Sequence, residues 1–195
     1  AAPTQEGRRS TRTTATCGDA LAFQVLLDRQ GFSSGEIDGK LGTNTRRALA
    51  AFQDANHLSP SRILDCETWS ALGGNDRSSV TTEYTITEAD AAGPFVDNIP
   101  ASLPDQAGLP ALGYSSLTEK IAERFHASPA LLTRLNAGKR VEAGATMTVP
   151  DVTPFDDHTK PVRDPWAGAV RVEVSREGTL RVLGPDERTL FLAPV

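Results

Sequence analysis

The stretch that decides the fold of this chain reads Gly35-Glu36-Ile37-Asp38-Gly39-Lys40-Leu41-Gly42. Its glycines predict tight turns, because glycine adopts left-handed backbone conformations that other residues avoid. Ile37 and Leu41 are the expected inward anchors of these turns. Apolar residues at helical spacing stand on both sides, so we interpret the stretch as the connection between two packed helices.

Three helices are predicted around this connection. Residues 20–30 form the first, with Asp19 as its N-cap and Gly31 directly after its end. Residues 44–56 form the second, which Thr43 can cap, and a short third helix starts at Asp65. The apolar residues expected to face inward are Leu21, Ala22, Val25, Leu26, Ala48, Leu49, Phe52, Ala55, Trp69 and Leu72.

One set of residues in this region is in register with a known domain. The set comprises the turn glycines, Asp38, Thr45, the pair Phe52-Gln53 and the later pattern of Leu64-Asp65, Thr68-Trp69 and Leu72. With these residues, 17–74 resembles the three-helix peptidoglycan-binding domain. The resemblance implies binding to bacterial cell-wall peptidoglycan, usually beside a wall-modifying enzyme, and no catalysis by the domain itself.

Four polar residues in or near the turn are candidates for contacting the wall: Asp38, Lys40, Asn44 and Arg47. The wall polymer offers hydroxyls, amides and carboxylates, and a shallow groove with a few convergent polar groups suits such a ligand. The N-terminus of the second helix adds free N–H groups, which favour a stem-peptide carboxylate. In the alternative interpretation, Asp38 and Gly39 only form the turn and Thr43 only caps the helix.

The two cysteines, Cys17 and Cys66, bracket this first unit. We predict a disulfide between them, as in exported proteins, and two unrelated buried thiols are the alternative. A disulfide loop of this size stabilises by about 4 kcal/mol on the chain-entropy model. Two cysteines cannot form a four-cysteine zinc site, and His57, His126 and His158 lack paired metal-ligand spacing. We therefore expect no metal and no cofactor.

Residues 83–152 show the order strand, helix, helix, strand. Alternation predicts a strand at 84–87 and its partner at 146–150. Leu117, Ile121 and Phe125 repeat at helical spacing after Ser115 or Ser116 as the cap. A second helix opens with Ser128-Pro129 and stops at Asn136-Ala137-Gly138.

This second unit resembles a LysM domain. The resemblance implies recognition of glycans that contain N-acetylglucosamine, with Asn136 and Gly138 in a sugar-facing loop. Asn136 has helix termination as its alternative role. Residues 88–113 depart from the family, because they are inserted where it has a short loop that forms one wall of the sugar groove. This proline-containing insertion is expected to be irregular, and it covers the groove, extends it or packs against a neighbouring domain.

Residues 167–195 predict strands at 170–174 and 180–183 and a third that starts at 189–192. Three strands without a covering helix are marginal as an independent domain. The Val-rich hairpin resembles the first strands of an L,D-transpeptidase catalytic domain. The catalytic signature of that family, His-Gly followed by Ser-His-Gly-Cys, is absent from the sequence, so we predict no catalytic site in this chain.

The composition agrees with a multi-domain α+β chain. It has 195 residues, 38% of them hydrophobic, and a net charge of −5. The negative charge disfavours a general nucleic-acid binder, which needs a basic face. No apolar run reaches the length of a membrane-spanning helix. Residues 1–16 are expected to be a flexible segment, and residues 75–82 and 153–166 to be linkers.

The hypothesis from the sequence is a non-catalytic, wall-binding region of an exported bacterial protein in the periplasm or cell wall. It anchors or positions a wall-modifying enzyme, an L,D-transpeptidase, on the glycan strands or stem peptides of peptidoglycan. In the alternative, the units are structural modules that pack on and regulate a partner catalytic domain, with little wall binding of their own. A self-contained glycosidase or amidase is disfavoured, because Glu119 and Glu123 have the spacing of helix-surface charges.

Overall fold

The computed structural model describes residues 17–76, 79–96, 99–109, 111–156, 160, 162 and 168–195. Residues 1–16 and most of the predicted linker after Asp156 lie outside the described residues. The helices in the described ranges are α1 (Ala20–Arg29), α2 (Thr43–Ala55), α3 (Cys66–Ala71), α4 (Glu88–Ala91), α5 (Leu103–Gln106), α6 (Leu117–Arg124) and α7 (Pro129–Leu135). The strands are β1 (Thr81–Thr85), β2 (Thr146–Pro150), β3 (Arg171–Ser175), β4 (Thr179–Leu183) and β5 (Thr189–Pro194). The mixture of helix and small antiparallel sheets confirms an α+β chain.

The first unit, residues 17–74, contains α1 to α3. The Asp19 carboxylate caps α1 as predicted, since it accepts the N–H of Ala22 at 2.8 Å. The predicted apolar face of α2 is buried. The prediction that Thr43 caps α2 is wrong: Gly42 has an extended backbone and is the N-cap, so Thr43 is already the first helical residue.

A disulfide joins Cys17 to Cys66, as predicted, and fastens the start of the first unit to α3. Beside it, the Trp69 ring packs on Phe23 with centroids 5.2 Å apart. A Cβ placed on Gly74 would lie 2.2 Å from the Trp69 ring. The ring therefore leaves room only for glycine at this position.

In the second unit, β1 pairs antiparallel with β2, with Tyr84 opposite Met147. Strand β1 begins at Thr81, inside the predicted linker 75–82. Ser116 caps α6 and Ser128 caps α7. Of the two caps that the sequence allowed for α6, Ser115 and Ser116, the structure thus uses Ser116. The buried side chains of this unit form one cluster that includes Ile86, Ile121, Leu131, Leu132, Met147 and Val149.

The two units are packed against each other. Residues 35–42, which we call the decisive turn, take part in this packing. Ile37, at the centre of the turn, forms a parallel β-bridge with Ala127 and is fully buried. Its N–H donates to the carbonyl of His126 at 2.7 Å, and its side chain belongs to the core of the second unit. The Arg29 guanidinium also bonds the Asp151 carboxylate at 2.7 Å.

Strands β3, β4 and β5 form the C-terminal sheet, in that order and antiparallel. One face of this sheet lies on the first unit, where Leu192 joins the buried cluster and pairs with Phe32. The first unit thus supplies the cover that three isolated strands lack. On the opposite face, Val172, Val174 and Phe191 are exposed, Val174 by 65%. No helix in the described ranges is both long and apolar enough to cross a membrane.

Candidate functional site

The decisive turn and the first turn of α2 enclose a groove of about 370 Å³, which we call the turn groove. The polar side chains that line it are those of Gln24, Ser34, Glu36, Asp38, Lys40, Thr43, Asn44 and Thr45. Three of the four residues predicted from the turn, Asp38, Lys40 and Asn44, are therefore brought together. The groove is predominantly polar and open on the solvent side, so it suits an extended hydrophilic ligand.

The groove is organised by Gln24, which is 1% exposed and lies in the middle of α1. Its Nε2 group donates to Asp38 Oδ1 at 2.9 Å, to Thr45 Oγ1 at 3.1 Å and to the Lys40 carbonyl at 3.2 Å. Its Oε1 atom accepts the backbone N–H groups of Asp38 and Gly39. One buried amide thus fixes both the turn and the start of α2, because a buried polar group requires partners.

Asp38 has a clear part in shaping the turn. Its Oδ1 atom accepts the backbone N–H of Lys40 at 2.9 Å as well as the Gln24 amide. An aspartate that bonds the backbone two residues ahead forms an Asx turn. Asp38 therefore has the turn-forming role of the alternative interpretation, and a direct contact with ligand stays a prediction.

Ser34 is an unpredicted member of the groove. It is 7% exposed, and among the described residues its Oγ atom has no hydrogen-bond partner. A buried hydroxyl without a protein partner is uncommon, and its hydrogen-bonding capacity is available to a ligand or water. Lys40, by contrast, is exposed at the rim, where its ammonium group can meet an anion.

Arg47 is the one turn residue that does not line the groove. Its guanidinium donates to the carbonyl of Glu177 in the β3–β4 hairpin at 2.9 Å. The next helical turn of α2 therefore points Arg47 toward the C-terminal sheet. In this structure Arg47 joins two parts of the molecule, and its role in wall binding stays a prediction.

Asn136 and Gly138, predicted to face sugar, lie in the second unit and not in the turn groove. The Asn136 side chain is 5% exposed; its amide donates to the carbonyls of Leu132 and Thr148 and accepts the Thr148 N–H at 2.7 Å. It therefore ties the end of α7 to β2, as a helix terminator does. Gly138 has a φ of 81° and lies in an exposed loop with open space around its Cα. Their glycan-binding roles stay predictions.

A smaller cleft of about 260 Å³ adjoins the turn groove and lies between the two units. Gly35 and Glu36 line both cavities, and Glu119, Glu123 and His126 line the cleft. His126 Nδ1 is 2.9 Å from Asp28 Oδ2 across the boundary of the units. This hydrogen bond raises the pKa of His126 above its ordinary value of 6.5, against the opposing effect of burial.

Gln24 and Ser34 are the buried groove residues with hydrogen-bonding side chains to which the sequence interpretation gave no role. A lone glutamine between Phe23 and Val25, inside the otherwise apolar run 20–27, was the available signal, because a buried amide is tolerated only where it has partners. Within the described ranges, no group of three or more His, Cys, Asp or Glu side chains is arranged to hold a metal ion.

Residues 18–72 match the model of a family described as putative peptidoglycan binding domain. No curated protein matches the chain. The family match covers the first unit, so peptidoglycan binding is supported for the unit that contains the turn groove. Together with the disulfide, it indicates a location outside the cytoplasm. The resemblances of residues 83–152 and 167–195 stay predictions.

Proposed function

We propose that this chain binds peptidoglycan through the turn groove and thereby holds a wall-modifying enzyme, an L,D-transpeptidase, at its polymer. The observation that carries the proposal is the convergence of Lys40, Asn44 and the unpartnered Ser34 hydroxyl in one groove of the family-matched unit. The periplasm or cell wall is the proposed location.

The groove offers hydrogen-bond donors and one cation to a ligand, beside the carboxylates of Glu36 and Asp38. Lys40 supplies a cation, Asn44 an amide and Ser34 a hydroxyl. Gly42 caps α2 without any side-chain hydrogen bond, so the first N–H groups of this 13-residue helix keep their donors for a ligand. The glycan hydroxyls and the amides and carboxylates of a stem peptide are complementary to these groups.

A sedimentation assay with purified peptidoglycan tests this proposal. We expect the double variant Lys40→Gln, Asn44→Ala to bind at least about tenfold more weakly, because it removes one charge-assisted and one neutral hydrogen bond. Lys160→Gln is the matched control, since Lys160 is an exposed lysine that lines neither the turn groove nor the loop of Asn136 and Gly138. Equal retention of the double variant and the control would refute the turn groove as the binding site.

The enzyme assignment has separate support in the C-terminal sheet. Its resemblance to the first strands of an L,D-transpeptidase is accompanied by the exposed apolar face of Val172, Val174 and Phe191. Apolar faces of this kind are usually covered by another part of a protein. Tethering a catalytic domain beside its substrate raises the effective concentration of that substrate without new chemistry.

The coding sequence downstream of Val195 tests the assignment. A Ser-His-Gly-Cys motif that follows a His-Gly pair supports an L,D-transpeptidase. A stop codon directly after Val195, or a continuation that encodes another catalytic signature, contradicts it.

A second candidate function is favoured by the shared cores. Leu192 is buried in the first unit, and Val25 and Ile37 are buried with the second, so the units form one packed structure. Such a structure suits modules that position or regulate a catalytic domain. If this is their role, Arg29→Gln at the boundary of the units changes the turnover of a soluble substrate by the catalytic domain that the modules position. The Lys40, Asn44 double variant leaves this turnover unchanged.

A further inference from the structure

The insertion 88–113, whose role the sequence left open, borders a third cavity, which is larger than the turn groove and the cleft. It has a volume of about 580 Å³ and lies between the insertion, one face of α6 and residues 155–156. Small-molecule sites have volumes of about 300–1,000 Å³. We call this cavity the insertion pocket. None of its lining residues comes from the loop of Asn136 and Gly138, so it is separate from the predicted sugar-facing loop.

The pocket is held in shape by Asp90, which is 2% exposed in α4. Its carboxylate accepts the Tyr84 hydroxyl at 2.5 Å, the Thr87 N–H at 2.9 Å and the Arg124 Nη1 group at 2.8 Å. Thr87 and Asp90 also form a reciprocal capping box. These bonds fasten the insertion to β1 and α6, so the pocket exists before any ligand binds.

The cationic groups of the pocket are unevenly satisfied. Arg124 neutralises Asp90, but its Nε atom is buried and has no partner in the described part of the chain. Lys120 Nζ donates to the carbonyls of Ala89 and Asp90, each at 3.1 Å. An ammonium group has three N–H donors, so one remains. Among the described residues no carboxylate lies within ion-pair distance of Lys120, and Asp156 at the rim has an interaction of its own.

The opposite walls are apolar and aromatic. Pro94, Tyr114 and Phe155 line the pocket, and Phe155 is exposed by 53%. Such surfaces stack on the face of a sugar ring or on the apolar body of a peptide. The combination of one available ammonium donor with ring surfaces suits a carboxylate attached to a ring or an apolar body.

We propose that the insertion pocket is a second ligand site, which binds a carboxylate-bearing part of peptidoglycan. Peptidoglycan as the source rests on the proposed function, whereas the carboxylate chemistry rests on the pocket itself. Two parts of the polymer carry this chemistry: the lactyl group of N-acetylmuramic acid and the terminal carboxylate of a stem peptide. The site would add a second point of attachment to the turn groove and increase avidity for the wall.

Nuclear magnetic resonance titration of the full 195-residue chain, labelled with nitrogen-15, tests the proposal. The probes are N-acetylmuramic acid, N-acetylglucosamine and a stem tripeptide. The first two differ by the 3-O-lactyl group, which carries the carboxylate. We expect the muramic acid, the tripeptide or both to shift the amide signals of Asp90, Gly113 and Tyr114, and N-acetylglucosamine to leave them unchanged. Which of the two probes binds identifies the source of the carboxylate.

Lys120→Gln is the decisive variant, and Lys139→Gln is its control. Loss of a charge-assisted hydrogen bond predicts a decrease in affinity of about tenfold to a hundredfold for Lys120→Gln and no change for the control. Failure of both carboxylate probes to shift the pocket signals would overturn the proposal. So would equal affinity of wild type and Lys120→Gln.

The outcome is distinguishable from failure of the proposed function. If whole peptidoglycan is not retained but a carboxylate probe binds with Lys120 dependence, the pocket stands and wall binding falls. If peptidoglycan is retained through Lys40 and Asn44 and the probes leave the pocket signals unshifted, wall binding stands and the pocket proposal falls.

Discussion

The turn groove and the insertion pocket are each organised by one buried polar side chain, but the two side chains differ in charge. Gln24 is a neutral amide that bonds the turn and α2. Asp90 is a carboxylate that bonds β1, the insertion and the Arg124 cation. A neutral hub such as Gln24 does not ionise, whereas the bonds of a charged hub such as the Asp90 carboxylate depend on its ionisation and on its charged partner. The predictions below test this difference, beginning with the largest expected effect.

Removing the disulfide should have the largest effect on stability, and this effect should fall on the first unit, which contains the turn groove. The variant Cys17→Ser, Cys66→Ser opens a link between residues 49 positions apart. We expect the free energy of unfolding of the first unit to fall by about 4 kcal/mol on the chain-entropy model. Urea unfolding under oxidising conditions measures it. Wild type with dithiothreitol is the control and should behave like the variant; an unchanged transition midpoint would contradict the prediction.

Replacing the neutral hub should have the next largest effect. Gln24→Leu keeps the side-chain volume but leaves the backbone N–H groups of Asp38 and Gly39 without their acceptor. We expect a loss of about 3 kcal/mol that does not depend on pH, because buried unpaired polar groups are costly. Denaturant unfolding at several pH values measures this loss. Gln30→Leu, at an exposed position, is the control; a loss below about 1 kcal/mol, within ordinary surface effects, would contradict the hub role.

Replacing the charged hub should have a smaller effect that depends on pH. Asp90→Asn leaves Arg124 without its counter-charge and should destabilise the insertion by about 2 kcal/mol at neutral pH. Burial opposes ionisation of Asp90, but hydrogen bonds from Tyr84 and Thr87 and the Arg124 charge outweigh it, so its pKa lies below the ordinary 3.8. The stabilisation is therefore complete above 3.8 and is lost as pH falls through the lowered pKa.

Hydrogen exchange of the insertion amides measures this effect of Asp90. Asp105→Asn, an exposed carboxylate of the same insertion, should leave the exchange rates unchanged. If Asp90→Asn shows the same exchange as wild type at neutral pH, the insertion is held by other contacts.

The smallest expected effect concerns the boundary of the two units. His126 has a pKa raised by its bond to Asp28, so its contribution is complete below 6.5 and is lost as pH rises through the raised pKa. Glu36, Glu119 and Glu123 line the same cleft as His126. His126→Asn should cost less than about 1 kcal/mol at pH 6 and remove the pH dependence of stability above it.

His57→Asn is the matched control for His126→Asn. Both histidines have a left-handed backbone, which asparagine also accepts, but His57 is exposed. Thermal unfolding between pH 6 and about 8 measures both variants around the ordinary histidine pKa. A pH dependence of equal slope in wild type and His126→Asn would show that the His126–Asp28 pair does not contribute.

The sequence correctly predicted helix caps and buried helix faces at positions where the residue type has one common structural role. Asp19 and Ser128 cap their helices, and the apolar stripe of α2 is buried, because caps and periodicity act over a few residues. It placed the Thr43 cap wrongly, since Gly42 has the extended backbone of an N-cap with no side chain to reveal it. Boundaries of this kind depend on one residue's backbone angles.

The sequence could not predict contacts that join distant segments. Ile37 was expected to be an inward anchor of its own unit, but it belongs to the core of the second, and Leu192 belongs to the first. The insertion was expected to be irregular, yet Asp90 and its capping box give it a defined structure. Burial of Gln24 is equally invisible in the pattern, because its partners are in another segment of the chain.

Because Leu192 lies in the core of the first unit, the C-terminal sheet has a fixed position and orientation relative to that unit. Two bodies joined by a flexible linker sample many separations and angles, whereas two bodies that share a core have one. Under the proposed function, a catalytic body that continues this sheet would approach the wall polymer at one reach and one angle from the turn groove. The fixed distance between the turn groove and the C-terminal sheet would then determine which bonds of the polymer, counted from the bound site, the catalytic body can reach.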